Sequence, residues 1–60
     1  MKYYKTTGWV FNIWCHDGQH WYYYHPLKNI WNVVVLSPTE CDPTDPPKEI
    51  TKEEVFIELL

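Results

Sequence analysis

Sixty residues carry a net charge of −3 with no arginine and no alanine, and four Trp, five Tyr and two Phe make the chain rich in large rings. A single domain of this length sits near the lower limit of what one hydrophobic core can hold together, and no apolar run approaches the ~20 residues of a membrane-spanning helix. Sequence-tolerant nucleic-acid binding needs a cationic track beside stacked rings; the rings are present and the track is not, so neither nucleic acid nor membrane is expected as a partner.

In chain order, residues 2–7 are short and polar-aromatic, suited to an edge or an arm. Residues 8–16 alternate, with Trp9, Phe11, Ile13 and Cys15 on one side and Val10, Asn12, Trp14 and His16 on the other, which predicts a strand. Asp17-Gly18 is a strong hairpin signal, because a type I′ turn needs two residues at positive φ. With these two at the centre of the turn, Cys15 opposes His20, Trp14 opposes Trp21 and Ile13 opposes Tyr22. The second strand runs to Tyr24 or His25, where Pro26 lacks the N–H that a ladder requires. Residues 26–29 form the next turn, with Asn29 suited to a left-handed position, and residues 30–36 make a third, β-branched strand. Pairing Tyr24 with Ile30 places Trp14, Trp21, Tyr23, Trp31 and Val33 on one face. The other face then carries Trp9, Phe11, Ile13, Tyr22, Tyr24, Ile30 and Val34.

Pro38, Pro43, Pro46 and Pro47 punctuate the next stretch and predict an extended, polyproline-like segment, neither helix nor central strand. Thr51 followed by Glu54 matches a capping box, with Ile50 and Val55 as its hydrophobic staple. The helix that follows presents Val55, Phe56, Leu59 and Leu60 as an apolar stripe; Val55-Phe56-Ile57 is also β-prone, but the capping signal favours the helix. The expected fold is a single small α+β domain over 1–60: a three-stranded antiparallel meander (5–36), a proline-rich crossing segment (37–49) and a C-terminal helix (51–60). The helix or the crossing segment is expected to cover one sheet face.

Charge is split between the halves. Residues 1–36 set Lys2, Lys5 and Lys28 against Asp17, a balance of +2. Residues 37–60 set Lys48 and Lys52 against Glu40, Asp42, Asp45, Glu49, Glu53, Glu54 and Glu58, a balance of −5. These carboxylates read as a solvated surface, with mimicry of a phosphate backbone as the sharper alternative.

Cys15, His16, His20, His25 and Cys41 are the set to weigh for zinc, with Cys15 facing His20 across the hairpin and Cys41 approaching from the tail, yet no paired Cys-x-x-Cys knuckle accompanies them, and no metal or other cofactor is expected. A Cys15–Cys41 disulfide would need an oxidising compartment. A Cys–His nucleophile would need Cys15 beside His16 or His20 together with an orienting group, and adjacent strand residues face opposite ways. The chain is therefore not expected to be an enzyme.

Gly8-Trp9, Tyr22-Tyr23-Tyr24-His25 and Trp31 follow one another in an order that resembles a WW domain, and the two Trp lie 22 positions apart. The resemblance spans residues 8–31 and implies a reader of proline-rich peptides, with Tyr23, His25 and Trp31 as the contact residues. It departs at Tyr24, where an Asn would precede the His, and after Trp31, which no Pro closely follows. The chain's own prolines, laid across Trp21, Tyr23 and Trp31, could fill the same trough. Usage rich in Lys, Tyr, Asn and Ile without Arg or Ala is similar to that of small phage proteins. The leading expectation is a cytoplasmic, non-enzymatic interaction protein (in a host cytoplasm if viral), such as a small phage-encoded inhibitor of a host protein. It would bind through Trp14, Trp21, Tyr23, His25, Trp31 and Val33, with another protein or a second copy of itself as the partner.

Overall fold

A computed structural model describes residues 1–8 and 12–60; the positions expected of Trp9, Val10 and Phe11 lie outside the described residues. Among the described residues, five strands form one antiparallel sheet: β1 (Lys2–Lys5), β2 (Ile13–His16), β3 (Trp21–His25), β4 (Ile30–Val34) and β5 (Lys48–Ile50). Their spatial order is β4-β3-β2-β1-β5, so the first four make a meander and β5 adds to the outer side of β1. Two helical segments, α1 (Pro38–Cys41) and α2 (Lys52–Leu59), complete the α+β chain. The expected three strands become five because β1 and β5 are too short to show a period-two signal, and β5 follows directly on Pro46-Pro47.

Both hairpins close differently from the sequence-based expectation. In the first, His16 pairs with Trp21, Cys15 with Tyr22 and Trp14 with Tyr23, so the loop holds four residues rather than two. Gly18 has φ 103°, but Asp17 is not at positive φ, which excludes a type I′ turn. Instead one Asp17 carboxylate oxygen accepts from the backbone N–H groups of Gln19 and His20, both at 2.8 Å. The other accepts from the Tyr22 hydroxyl at 2.9 Å. In the second hairpin Asn29 takes φ 56° and its N–H donates to the His25 carbonyl at 2.8 Å. His25 therefore stays in the ladder opposite Ile30, and Tyr24 opposes Trp31.

The consequences differ because side chains alternate with period two. A two-residue slip in the first hairpin leaves Trp14, Trp21 and Tyr23 on a common face. A one-residue slip in the second moves Trp31 and Val33 to the opposite face and brings Ile30, Asn32 and Val34 in their place.

The chain must travel from β4, at one edge, to β5, at the other, across four inter-strand gaps or roughly 19 Å. It crosses over the face that carries Trp14. Contrary to expectation, this segment contains a turn of helix. Ser37 caps it by accepting from the Glu40 N–H at 3.3 Å, and Pro38 sits at the helix start, where its missing N–H costs nothing. Pro38 is fully buried, and with Thr6, Cys41, Asp42 and Asp45 it encloses Trp14 with only about 10 Å³ of space left over. Asp45 ties the segment down, its carboxylate accepting from the Thr7 N–H and hydroxyl and from the Gly8 N–H at 2.7–3.1 Å. A Cβ at position 8 would stand 3.2 Å from that carboxylate, so glycine suits the close approach.

On the opposite face α2 packs Val55 against Ile13 and Ile50, flanked by Tyr3 and Tyr24. Its N-terminus shows the expected capping box: the Thr51 hydroxyl accepts from the Glu54 N–H, and the Glu54 carboxylate accepts from the Thr51 N–H. Lys5 and Glu58 pair at 2.6 Å on the surface. The expected stripe is not buried: Val55 is enclosed, whereas Phe56, Leu59 and Leu60 are exposed, because eight residues bring only one turn down onto the sheet.

The Trp14 indole N–H donates to the buried Thr6 hydroxyl at 3.1 Å. Trp14→Phe strands that hydroxyl and is expected to lower unfolding free energy by about 1–3 kcal/mol in urea titrations. Adding Thr6→Val, which removes the orphaned group, should recover part of the loss.

Candidate functional site

The ladder sorts the large side chains into rows. One face carries the row Tyr4–Trp14–Tyr23–Asn32, beside the row Lys2–His16–Trp21–Val34. The other carries Ile50–Tyr3–Cys15–Tyr22–Val33, beside Lys48–Lys5–Ile13 towards the β5 edge and the pair Tyr24–Trp31 towards the β4 edge.

On the first face the crossing segment takes Trp14 out of contention as a binding residue, since it is 3% exposed. Trp21 stays half-buried under ring contacts with Tyr4 (5.1 Å) and His16 (4.7 Å). Tyr23 and His25 are half-buried on this face too, with the Trp14 ring 6.1 Å from that of Tyr23. The crossing segment does not lie across Trp31, which is on the other side of the sheet. For the same reason Tyr23, His25 and Trp31, the three positions that the WW resemblance singles out, do not share a face. The depression beside Tyr4 and His16 also takes in Lys2 and Asp17, and is polar.

The second face is only partly covered by α2. The row beyond the helix leaves a groove of about 170 Å³ lined by Met1, Tyr3, Cys15, Tyr22 and Trp31. Trp31 forms its wall, with ring centroids 6.3 Å from Tyr3 and 5.3 Å from Tyr24. Trp31 is 38% exposed and Val33 63%. Two hydrogen bonds stiffen the rings around it: Tyr22 to Asp17, and Tyr24 to the Asn29 side chain at 2.6 Å. Of the residues expected to bind, Trp31 and Val33 thus belong to this second surface, while Trp21, Tyr23 and His25 stay on the first. Met1, Tyr3 and Tyr22 were not singled out from the sequence. Tyr22 carried a usable signal, since its facing is fixed by the alternation; Tyr3 could be placed only once β1 was known to pair with β2.

The cysteines do not converge. Cys15 is buried on the groove side, while Cys41 is exposed in α1, on the opposite face. Cys15 opposes Tyr22 rather than His20. Among the described residues, no three His, Cys, Asp or Glu side chains are grouped so that they could hold a metal ion.

Burial, followed by the nearby Asp17 charge, pushes the Cys15 thiol up, so it stays protonated and slow to alkylate. With iodoacetamide near neutral pH, Cys41 is expected to react well before Cys15, a difference that peptide mass spectrometry reads directly. The carboxyls of Asp17 and Asp45 are both held below the usual range. For Asp17 the cause is chiefly the His20 and Gln19 N–H groups, and for Asp45 the Thr7 hydroxyl and the Gly8 and Thr7 N–H groups. Their folded-state values lie below the ~3.9 of an unfolded Asp, so the unfolded chain binds more protons in between. The stability that they contribute is complete above about pH 4 and is lost as pH falls through the folded values. Asp45→Asn should flatten that acid limb in a pH series of thermal melts; an unchanged limb would remove Asp45 from the account.

No family model matches the chain, and no curated protein and no solved structure is significantly similar to it.

Proposed function

We propose that the protein is a non-enzymatic binding module that receives apolar side chains of another protein in the groove framed by Tyr3, Tyr22 and Trp31. The observation that carries this reading is the ring-lined depression itself: Tyr3, Tyr22 and Trp31 frame an apolar opening, and Trp31 and Val33 are left exposed beside it. Tyr and Trp suit such a contact because they offer large area at low conformational cost and keep a polar tip for the rim. The groove is too small for a drug-sized ligand, whose sites are commonly 300–1,000 Å³, and matches one or two side chains of a docked chain. The Tyr22 phenol, anchored to Asp17, and the Tyr24 phenol, anchored to Asn29, are already fixed, so docking would lose little side-chain entropy there.

The test uses the purified chain and a protein captured with it from the cells that produce it. Trp31→Ala should weaken binding at least about tenfold, the loss of one anchoring side chain. Trp21→Ala, on the opposite face, should leave it within about twofold while the strand signal in circular dichroism persists. Bound partner should also slow alkylation of Cys15, which lines the groove. Loss of binding in Trp21→Ala together with full binding in Trp31→Ala would move the site to the other face.

A further inference from the structure

The two edges of the sheet are built differently. β5 has three residues, two of them charged (Lys48 and Glu49), and Pro46-Pro47 directly precede it. Shortness, charge and proline are the devices by which sheets keep an edge from pairing with other chains. β4 has none of them. It runs for five residues in unbroken register with β3, so no bulge turns it aside. From Asn29 through Leu36 the sequence NIWNVVVL contains no charge and no proline. Among the described residues nothing pairs with its outer side, where alternate N–H and C=O groups face outward. The apolar side chains along it are exposed as well, Val33 at 63% and Val35 at 98%.

We propose that β4 pairs with β4 of a second copy, antiparallel about a two-fold axis at Asn32, joining the two sheets into one. The occupant follows from the strand's complementarity to its own reverse. With the axis at Asn32, Trp31 of one copy lies opposite Val33 of the other, Ile30 lies opposite Val34, and Asn32 meets Asn32. The first is an aromatic–β-branched pair, favourable across an antiparallel ladder; the second sets apolar against apolar, and the third lets two amides bond to each other. Shifting the axis by one residue to Val33 would set Asn32 against Val34, leaving two amides without partners. No like charges meet at the join, because the strand holds none, and Lys28 of one copy falls opposite Leu36 of the other. A closed two-fold pairing uses up both free β4 edges and leaves the two β5 edges, already protected, at the ends of the joined sheet. The pairing uses the outer backbone edge of β4 and adjoins the groove, sharing Trp31 with its wall; Val35, outside the groove lining, separates the two readings.

Sedimentation of the full chain from micromolar to millimolar concentration reads the outcome. Wild type should pass from the 7.3 kDa monomer to twice that mass. Val33→Lys and Val35→Lys should each weaken the association at least about tenfold with circular dichroism unchanged; Val35 lies past the end of the strand, so its replacement does not threaten the fold. In a Cys41→Ser background, Asn32→Cys should form a cross-linked dimer under mild oxidation, because the axis sets the two Cβ atoms directly opposite, about 4.5 Å apart at the near limit, which a small strand shift brings within disulfide reach. Glu49→Cys, on β5, should not. A chain that stays monomeric throughout overturns the proposal, as does a dimer indifferent to both lysines. An edge that instead captures a different protein while the chain alone stays monomeric overturns the second copy as its occupant.

Discussion

Strand β2 lies at the centre of the sheet and has to be covered twice. Ile13 and Trp14 are neighbours in sequence, point to opposite faces and are both buried. Among the described residues two pieces serve the purpose: α2 seats Val55 on Ile13, and the crossing segment closes over Trp14 through Pro38 and Cys41. Each cover is held by polar bonds as well as by apolar contact. The capping box fixes where α2 starts, and the Asp45 carboxylate, gripping Thr7 and Gly8, fixes where the crossing segment ends. Because both covers serve the central strand, the flanking strands keep rings that neither cover reaches.

The hydrophobic pattern was enough to find the hairpins, the C-terminal helix and its cap, since each rests on a local signal with a mechanism. Register was harder, because it depended on which side-chain oxygens captured which backbone donors. Asp17 drew in two N–H groups and widened the first loop from two residues to four, a change of even parity that kept Trp14, Trp21 and Tyr23 together. Asn29 closed the second loop one residue earlier than expected, an odd change that turned β4 over. The proline-rich stretch departs from its expected form for a different reason. Four prolines do exclude a long helix, but one proline in the first turn, behind a serine cap, starts a short one. Strands β1 and β5 became visible only through pairing, since each owes its conformation to a neighbour and not to its own few residues.

The same parity error decided how much of the candidate site could be read from the sequence. Alternation with the expected registers puts Trp14, Trp21, Tyr23, Trp31 and Val33 on a single aromatic face. In the folded chain Trp14 is core, Trp21 and Tyr23 stay with Tyr4 and His16 on one side, and Trp31 and Val33 join Tyr3 and Tyr22 on the other. A surplus of rings was therefore legible, but its division between two faces was not. Among the described residues, the groove is walled by sheet residues and Met1 alone, since α2 seats Val55 on Ile13 and Ile50 and runs on to Lys5 through Glu58.

The apolar character of β4 is not explained by the monomer's own packing. Val33 and Val35 are mostly in water, so they add little to the core, and a threonine at either place would serve strand geometry about as well. Lysine there would blunt the edge, as the charged residues do on β5. A domain near the lower size limit has little stability to spare, and any association confined to the folded state adds to it by mass action, by RT ln(1 + [L]/Kd) for a partner at concentration [L]. The groove and the β4 edge would supply that increment from two adjoining surfaces that share Trp31. Folding and binding would then be linked: agents that unfold the chain release its partners, and partners that dock on it resist its unfolding. An uncharged outer strand and a half-covered aromatic row, both liabilities in an isolated monomer, are what such linkage requires.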